Sequence, residues 1–430
     1  MKIHVVSSGE SPWSIARRYG IDLNKLISAN GLNQIPHLVV GQALIIPGVG
    51  TTHTVRPGES IYSIALKYGV TPQSIIEASN ITNPARISPG TTLIIPEKPK
   101  RYGVIETNGF IIPSNTQREN EIINEAAPYL TYISPFSHQL TESAGLAPLN
   151  DENIITSARK FNTAPLLSVT NISSESGGFN TVLINRILTN NQLQTTLINN
   201  ILSLVKQKGY YGVVVDIERI SPSNRGAYNN FLRKLADRLH PDYVLATALA
   251  PKTSDVTEGA WHGAHDYKAH GEIADFVILM TYEWGWSGGP PLAVAPLNEV
   301  RKVINYAVSV IPPKKIMMGI PLYGYDWTLP YTPKGEYAKA IGYLEAIEIA
   351  ARNGAAIKYD KKSASPYFNY YDNNGKEHVV WFEDVRSLFE KYKLVNEYGL
   401  RGTSYWSLGK SAPMNWYLLD SMFKITKVIR

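Results

Sequence analysis

The pattern of apolar and polar positions divides the chain near residue 100. Before that point, short apolar runs flank stretches whose apolar residues recur at helical spacing. After it, longer runs rich in β-branched residues alternate with amphipathic stretches, which is typical of an α/β domain. The pattern therefore predicts a small N-terminal region followed by a larger α/β domain.

Eight of the C-terminal runs have the composition of strands. In chain order they are RYGVIETNGFII, YLTYISPF, APLLSVTN, GVVVDIE, VLATALAPK, ADFVILMTYEW, KKIMMGIPLYGYDW and LRGTSYWSLG. Eight strands separated by helices predict a (β/α)8 TIM barrel over residues 102–430. The gap between strands seven and eight is too long for one crossover. Within it, AAIKYD, PYFNYYD and HVVWFED predict a small inserted α+β lobe at about 328–385.

An internal repeat organises the N-terminal region. HVVSSGESPWSIARRYGI recurs without a gap as HTVRPGESIYSIALKYGV, and VGQALIIP recurs as PGTTLIIP. Each unit predicts a strand, a Gly-Glu-Ser turn, two helices and a closing strand, with Ser11 or Ser60 as a helix N-cap. The repeat therefore predicts two βααβ modules at 1–48 and 52–97, with exposed linkers at PGVGTT and at EKPKR (97–101).

The fourth strand-like run ends in two carboxylates. Residues on a strand alternate between faces, so Val214, Asp216 and Glu218 share one face, and Val213 and Val215 share the other. A strand that is apolar on both faces suits a parallel sheet covered by helices, and barrel enzymes carry their catalytic groups at the C-terminal strand ends. We therefore expect both acids to face the lumen at the barrel mouth. A strand that runs out into a solvated turn is the alternative.

Composition narrows the functional classes. The chain has 430 residues, a formal net charge of +6, 26 tyrosines and no cysteine. Without cysteine there are no disulfides and no thiolate catalysis or thiolate metal sites. The positive charge is spread out and accompanies no nucleic-acid motif, so an anionic wall polymer fits it at least as well as nucleic acid. No Sec-type signal and no membrane-length apolar run is visible, and we expect a soluble monomer without a nucleic-acid partner.

The two N-terminal units resemble LysM modules, through the GES turn, the Ile-Ala-x-x-Tyr-Gly helix and the Leu-x-Ile-Pro ending. The resemblance implies binding of glycans that contain N-acetylglucosamine, between the loop after the first strand and the loop before the last. The implied glycan-binding residues are Gly9, Glu10, Ser11, Leu32, Asn33, Gln34 and Ile35 in the first module, and Gly58, Glu59, Ser60, Thr82, Asn83 and Pro84 in the second. The glycines and serines fit a turn and a helix cap equally well.

The C-terminal domain resembles the glycoside hydrolase family 18 chitinases and related N-acetylglucosaminidases over roughly residues 102–428. The family's Asp-x-x-Asp-x-Asp-x-Glu on strand four stands here as YGVVVDIE (211–218), which keeps the last two acids. Its Met-x-Tyr-Asp on strand six stands as MTYE (280–283), and its Gly-x-Pro-x-Tyr-Gly on strand seven is intact at 319–324. Its tryptophan on strand eight matches Trp406, whereas its Ser-x-Gly-Gly on strand three is not found.

This resemblance implies a mechanism. Glu218 is expected to be the general acid, and Asp216 to orient the 2-acetamido group of the substrate, whose carbonyl oxygen acts as the nucleophile of retaining hydrolysis. Geometry agrees, because two acids on one strand cannot easily flank the anomeric carbon as an acid and a nucleophile would. Tyr282 is expected to hydrogen-bond the acetamido oxygen. No cofactor and no metal is implied.

Further substrate contacts are expected at the barrel mouth. Strand alternation on strand six places Met280 and Tyr282 on one face and Glu283 on the other. The substrate-binding candidates are Met280, Glu283, Tyr323, Asp326, Trp327 and Trp406, with Trp406 as the floor for a sugar ring. Asp326 and Trp327 fit packing at the rim equally well.

Val214 stands where the family pattern has an aspartate. Because Asp216 then has only apolar contact on that side and Glu218 close by, its neutral form should be favoured. We therefore expect the two acids to share a proton at rest and the pH optimum to be mildly acidic.

Three histidines in WHGAHDYKAH, His262, His265 and His270, have a spacing that could feed a metal ion. No fixed register places all three on one helical face, so the sequence favours a solvated loop over a metal site.

Two glycan-binding modules joined to such a barrel, without a visible signal peptide, are similar to the cortex-lytic N-acetylglucosaminidases of endospore-forming bacteria. The resemblance implies hydrolysis of the bond after N-acetylglucosamine in spore-cortex peptidoglycan during germination. It also implies cortex glycan as the partner of the modules and a place in the cortex or coat region of the spore. A chitinase is one alternative, because chitin presents the same sugar to the catalytic subsite. A non-catalytic glycan-binding lectin is the other.

Overall fold

The computed structural model describes residues 2–48, 51–96, 102–173, 178–259, 261–410 and 412–429. In each N-terminal module the first strand pairs antiparallel with the last. The elements are β1 (Lys2–Val5), α1 (Pro12–Tyr19), α2 (Leu23–Asn30) and β2 (Ala43–Ile46), then β3 (Thr51–Thr54), α3 (Ile61–Tyr68), α4 (Pro72–Ala78) and β4 (Thr92–Ile95). The βααβ prediction is confirmed in both modules. The linker predicted at 97–101 and positions 49–50 of the first linker lie outside the described residues.

The same local signals start the first helix of each module. The Ser11 hydroxyl accepts from the Ser14 amide at 3.1 Å, and the Ser14 hydroxyl accepts from the Ser11 amide at 2.9 Å. Ser60 and Ser63 repeat this reciprocal pair. Both serines are therefore helix N-caps, and their side chains satisfy the backbone donors that a helix start leaves open.

The described residues of the C-terminal domain contain a closed barrel of eight parallel strands. The strands from residue 104 onward are β5 (Val104–Ile111), β6 (Tyr132–Pro135), β7 (His138–Gln139), β8 (Ala164–Thr170), β9 (Gly212–Asp216), β10 (Val244–Leu249), β11 (Phe276–Leu279), β12 (Ile316–Pro321), β13 (Tyr323–Thr328), β14 (Lys339–Gly342), β15 (Lys358–Asp360), β16 (Ser365–Tyr371), β17 (Glu377–Trp381), β18 (Gly402–Trp406) and β19 (Lys424–Ile425). The barrel order is β5-β6-β8-β9-β10-β11-β12-β18, and β18 pairs with β5 to close it. The TIM-barrel prediction is confirmed.

Helices cover the outside of the barrel. They are α5 (Gln117–Ala126), α6 (Glu152–Arg159), α7 (Thr181–Leu188), α8 (Asn191–Lys208), α9 (Arg225–Leu239), α10 (Tyr267–Ile273), α11 (Leu297–Val310), α12 (Tyr343–Arg352), α13 (Val385–Glu397) and α14 (Pro413–Met422). The lumen is filled by a layer of apolar side chains from neighbouring strands, namely Leu166, Val214, Ala246, Ile278 and Met317. Because the interior is packed, the open space lies above this layer, at the C-terminal strand ends.

A five-stranded antiparallel sheet is inserted between barrel strands seven and eight, in the order β14-β13-β17-β16-β15. The sequence predicted KKIMMGIPLYGYDW as one strand, and this was wrong. The run ends as a barrel strand at Pro321 and restarts at Tyr323 as β13, which belongs to the inserted sheet. Proline has no backbone N–H to donate to the neighbouring strand, so the barrel strand ends at Pro321 and the chain can leave the barrel sheet there.

The first module packs against the C-terminal domain, and it forms hydrogen bonds to the segment inserted between barrel strands seven and eight. The Ile357 amide donates to the Val40 carbonyl at 2.8 Å, and Gln42 Nε2 lies 3.4 Å from the Tyr343 hydroxyl. The module residues Ala29, Val39, Ala43 and Ile45 belong to the same buried apolar cluster as the barrel helices. The buried residues of the second module form a separate cluster. The first module thus shares a hydrophobic core with the C-terminal domain.

Among the described residues, no helix has both the length and the apolar character that crossing a membrane requires.

Candidate active site

Strand β9 carries the two carboxylates to the mouth of the barrel. It pairs in parallel with β8, where Thr170 lies beside Asp216, and with β10. Val213 and Val215 pack outward against the helices, and Val214 points into the lumen. Asp216 ends the strand and Glu218 follows it, and both line one cleft. The structure therefore brings the two predicted acids together on the lumen side.

The cleft has a volume of about 950 Å³ and is walled largely by aromatic rings. These include Phe110, Phe136, Trp284, Trp286, Tyr323 and Trp406. Trp406 packs edge-to-face on Phe110 and Phe136, with ring centroids 5.6 and 4.6 Å away, which fixes its orientation. Apolar ring faces around a few polar groups are typical of a sugar-binding cleft.

Asp216 is a carboxyl group with almost no access to water. Asp216 is only 5% exposed, and its Oδ1 has no hydrogen-bond partner among the described residues. Burial, and secondarily the charge of Glu218, raise the pKa of Asp216 well above its usual value. A carboxyl group that accepts no hydrogen bond in an apolar site is more stable in its protonated form than as a carboxylate.

Glu218 is held at both its backbone and its side chain. The Asn171 amide side chain accepts from the Glu218 N–H at 3.0 Å and donates to the Glu218 carbonyl at 2.9 Å. The Trp261 indole N–H donates to Glu218 Oε2 at 2.9 Å. Burial raises the pKa of Glu218 to about 7, although the Trp261 hydrogen bond and the charge of Arg219 act in the opposite direction. A carboxyl group with such a pKa can give and take a proton near neutral pH.

Strand six ends earlier than the sequence pattern predicted. Strand β11 stops at Leu279, so the residues after it no longer alternate between faces. Glu283 has a backbone φ of +71°, and it lines the cleft together with Met280 and Tyr282. The prediction that Glu283 faces away from the other two was therefore wrong, because alternation holds only for extended backbone.

Glu283 is fixed by two tyrosine hydroxyls. Tyr323 donates to its Oε1, and Tyr325 donates to the same atom at 2.9 Å. Burial raises the pKa of Glu283, and the two hydroxyls counteract this in part. The cleft thus contains a third carboxyl group that is easily protonated.

Two predicted substrate-binding residues lie outside the cleft, in the inserted sheet. Asp326 pairs with His378 Nδ1 at 2.9 Å and accepts from the Tyr370 hydroxyl at 2.7 Å. Trp327 is buried and donates to the Gly289 carbonyl at 3.0 Å. Their position follows from the split of strand seven, because β13 begins at the cleft with Tyr323 and its later residues continue into the inserted sheet.

The histidine-rich segment is not a solvated loop throughout. His265 and His270 are buried, and His265 contacts the Ala250 amide at 2.9 Å and the Ile217 carbonyl at 3.1 Å. His270 Nδ1 lies 3.0 Å from the Thr247 hydroxyl. The prediction was wrong for these two residues, because His265 lies just before α10 and His270 in its last turn, and both pack against the β9–β10 side of the barrel. Among the described residues, no cluster of potential metal ligands is present.

The glutamates of the two GES turns are bound within their own modules. The Glu10 carboxylate lies 2.8 Å from His4 Nε2 and accepts from the Ser7 amide at 2.8 Å. Glu59 lies 2.6 Å from His53 Nε2 and also accepts from a backbone amide. These backbone hydrogen bonds lower the pKa of Glu10 and the pKa of Glu59. Both carboxylates therefore stabilise the turn that carries them.

The other predicted module residues fall into three groups. Gly9 and Gly58 occupy the left-handed turn, with φ of +81° and +83°. Leu32 is buried and Ile35 is half-buried. The exposed members are Asn33, Gln34, Thr82, Asn83 and Pro84, which follow the second helix of each module.

Comparison with known proteins places the chain in a family. The model described as Glycosyl hydrolases family 18 matches residues 120–410, and the LysM domain model matches residues 4–47 and 53–96. The chain belongs to glycoside hydrolase family 18 and is a glycoside hydrolase that carries two LysM domains. The predicted family and enzyme class are confirmed.

Similar proteins of the same length come from spore-forming bacteria. The chain is 48% identical to the cortical fragment-lytic enzyme of Bacillus subtilis (strain 168) over 433 residues, which covers 99% of each chain. It is 45% identical to the cortical fragment-lytic enzyme of Bacillus anthracis, again over 99% of each. The crystal structure of the Bacillus megaterium QM B1551 spore cortex-lytic enzyme SleL matches with a TM-score of 0.86 and 43% identity over 99% of each chain.

Sequence reasoning missed the two residues that hold Glu218. Asn171 ends the run LLSVTN, at the place where the family motif of strand three was sought and not found. Trp261 stands in a polar loop after strand β10. A lone tryptophan in such a loop is a signal, but its partner is 43 positions away and is not visible in the sequence.

Proposed function

We propose that the protein is an N-acetylglucosaminidase that hydrolyses the bond after N-acetylglucosamine in spore-cortex peptidoglycan during germination. The observation that carries the proposal is the pair Asp216, which ends strand β9, and Glu218, which follows it, both lining one aromatic cleft. The two full-length relatives named as cortical fragment-lytic enzymes support the substrate. Their names also favour pre-cut cortex fragments over intact cortex.

The first half of the reaction needs a nucleophile that the substrate itself supplies. The carbonyl oxygen of the 2-acetamido group attacks C1, the glycosidic C–O bond breaks, and Glu218 gives its proton to the leaving oxygen. The sugar becomes an oxazolinium ion. In the second half, Glu218 takes a proton from water as the water attacks C1, which restores the acetamido group and retains the anomeric configuration.

Asp216 and Tyr282 act on the acetamido group. Asp216 accepts a hydrogen bond from the acetamido N–H. Once the proton that it shares with Glu218 has passed through Glu218 to the leaving oxygen, the Asp216 carboxylate stabilises the positive oxazolinium ion. Tyr282 donates to the acetamido oxygen and so holds it near C1. Both residues line the cleft beside Glu218. The burial of Asp216 next to Glu218 supports a proton shared between the two acids at rest.

The two LysM modules bind the glycan outside the catalytic cleft and keep the enzyme on the cortex of the spore. In each module the exposed residues after the second helix, which include Asn33 and Asn83, provide the sugar contacts. The glutamates of the GES turns shape the binding loop, since Oε2 of each already accepts from a backbone amide and lies against a histidine of the same module.

Product analysis tests this proposal. The protein and its Glu218→Gln variant are incubated with intact spore-cortex glycan, with pre-cut cortex fragments and with chitin. The products are then reduced with borohydride and analysed by mass spectrometry. Reduced N-acetylglucosamine ends from cortex material, absent with the variant, are expected. Cleavage of chitin alone would identify a chitinase, and binding without cleavage would identify a lectin.

A further inference from the structure

The loop that carries Trp261 is tied to the barrel by charged residues. The ammonium group of Lys252, in the segment after strand β10, donates to the His265 carbonyl at 2.9 Å and lies 3.4 Å from Asp255. Arg225 on α9 pairs with Asp255 at 2.9 Å and with Asp266 at 3.1 Å. These contacts fix residues on both sides of Trp261, which lines the cleft.

Trp261 meets Glu218 through one directional contact. Its ring is 37% exposed at the cleft, and its indole N–H donates to Oε2 of Glu218 at 2.9 Å. The backbone of Glu218 is held by Asn171, so the side chain retains little freedom. The described residues place no hydrogen-bond partner on Oε1. The carboxyl group thus has one occupied oxygen and one oxygen open to the cleft.

We propose that Trp261 is a positioning residue for the general acid: its N–H occupies Oε2 of Glu218 and so directs the transferable proton to Oε1. An indole N–H can only donate, and in a protonated carboxyl group the carbonyl oxygen is a stronger acceptor than the hydroxyl oxygen. The Trp261 contact therefore favours the form of Glu218 with the carbonyl at Oε2 and the proton on Oε1, where the leaving oxygen can receive it. This inference rests on the proposed role of Glu218.

The same contact lowers the pH at which the acid loses its proton, against the larger opposing effect of burial. A donor to the charged form stabilises the carboxylate, so removal of the donor makes the group a weaker acid. The other titratable groups whose charge acts on Glu218 are Asp216 at the end of β9, Arg219 next to Glu218 and Glu283 from the segment after β11. His262 lines the cleft from the Trp261 loop. These groups stay in place when only the indole N–H is removed.

The test compares Trp261→Phe with Trp381→Phe. Phenylalanine keeps an aromatic ring and removes the N–H, and Trp381 lies in the inserted sheet, where it stacks on Tyr367 outside the cleft. The midpoint of Glu218 is followed by carbon NMR of glutamate labelled at its carboxyl group, with the signal assigned by its loss in Glu218→Gln. In Trp261→Phe the midpoint should rise by about one pH unit. The pH at which kcat/KM on soluble cortex fragments falls on the alkaline side should rise by the same amount, and neither pH value should change in Trp381→Phe.

A second measurement uses the unmodified protein and so does not depend on whether Trp261→Phe folds. In the unmodified protein, the indole N–H signal of Trp261 should shift with pH at the same midpoint as Glu218, and the shift should vanish in Glu218→Gln. An indole signal that ignores pH, or an unmoved midpoint in a folded Trp261→Phe, would overturn the inference. If the unmodified protein cleaves no cortex material, the proposed function fails, while the indole titration still decides whether the contact controls Glu218.

Discussion

Carboxylates occupy two contrasting environments in this molecule, the mouth of the barrel and the first turns of the LysM modules. Glu10 lies 2.8 Å from a histidine nitrogen and 2.8 Å from a backbone amide, and its pKa is lowered chiefly by that amide. Asp216 has one oxygen without any partner among the described residues, and burial raises its pKa. The number of N–H groups that donate to the carboxyl group therefore distinguishes an acid that stabilises a turn from an acid whose oxygens are available to a substrate.

Among the substitutions considered, replacement of Glu218 in the cleft should have the largest effect on activity. Glu218→Gln removes the transferable proton and should lower kcat by about 10²–10⁴-fold. The melting temperature should stay the same or rise at pH 8, because the folded protein no longer has to hold a buried carboxylate there. Steady-state kinetics and thermal unfolding measure the two effects. Glu121→Gln, at an exposed surface pair, is the control that should change neither.

The two environments should also respond to pH in opposite directions. Since the pKa of Glu218 is raised to about 7, the active protonated form is lost as pH rises, and kcat/KM should fall about tenfold per pH unit well above 7. Since the pKa of Glu10 is lowered, its stabilising effect is present above its usual value of 4.5 and is lost as pH falls. Rate and melting profiles over the same pH series measure both. A rate that stays flat into the alkaline range would contradict the assignment of Glu218.

The two modules differ in how they contact the C-terminal domain, and two equivalent glycines allow this difference to be measured. Gly41 and Gly90 are equivalent in the repeat and have similar backbone φ, +84° and +89°. A Cβ at Gly41 would lie 1.9 Å from the Ile357 carbonyl oxygen, whereas a Cβ at Gly90 would meet nothing within 4 Å. Gly41→Ala should therefore cost about 1–3 kcal/mol more free energy of unfolding than Gly90→Ala. Equal losses in urea unfolding would show that the first module is not docked in solution.

The smallest effect is expected at the turn glutamates. Glu10→Gln should cost about 1 kcal/mol of unfolding free energy, because a charge-assisted contact becomes a neutral one. The loss at Glu59→Gln should be smaller, since its side chain is 21% exposed against 9% for Glu10. Glycan binding should weaken only as far as the turn is disordered. Melting curves and cortex pull-down assays of both variants check this order.

The sequence was sufficient for the barrel, the repeat and the placement of Asp216 and Glu218 together at the barrel mouth, because each is encoded in local periodicity. The split of the seventh strand at Pro321 and the cleft position of Glu283 were missed. Both depend on where a strand stops, and alternation says nothing about the residues beyond that point. The Trp261 contact and the docking of the first module join segments far apart in the chain. No local pattern predicts such contacts.

The most direct test of the account concerns the nucleophile. Soluble glycan substrates whose acetamido group carries increasing numbers of fluorine atoms have a progressively weaker carbonyl nucleophile. The account predicts that kcat falls with each fluorine, because the acetamido oxygen attacks C1 and Asp216 only orients the group. Rates that ignore fluorination, together with a sugar found covalently attached to Asp216 by mass spectrometry of the denatured protein, would contradict it.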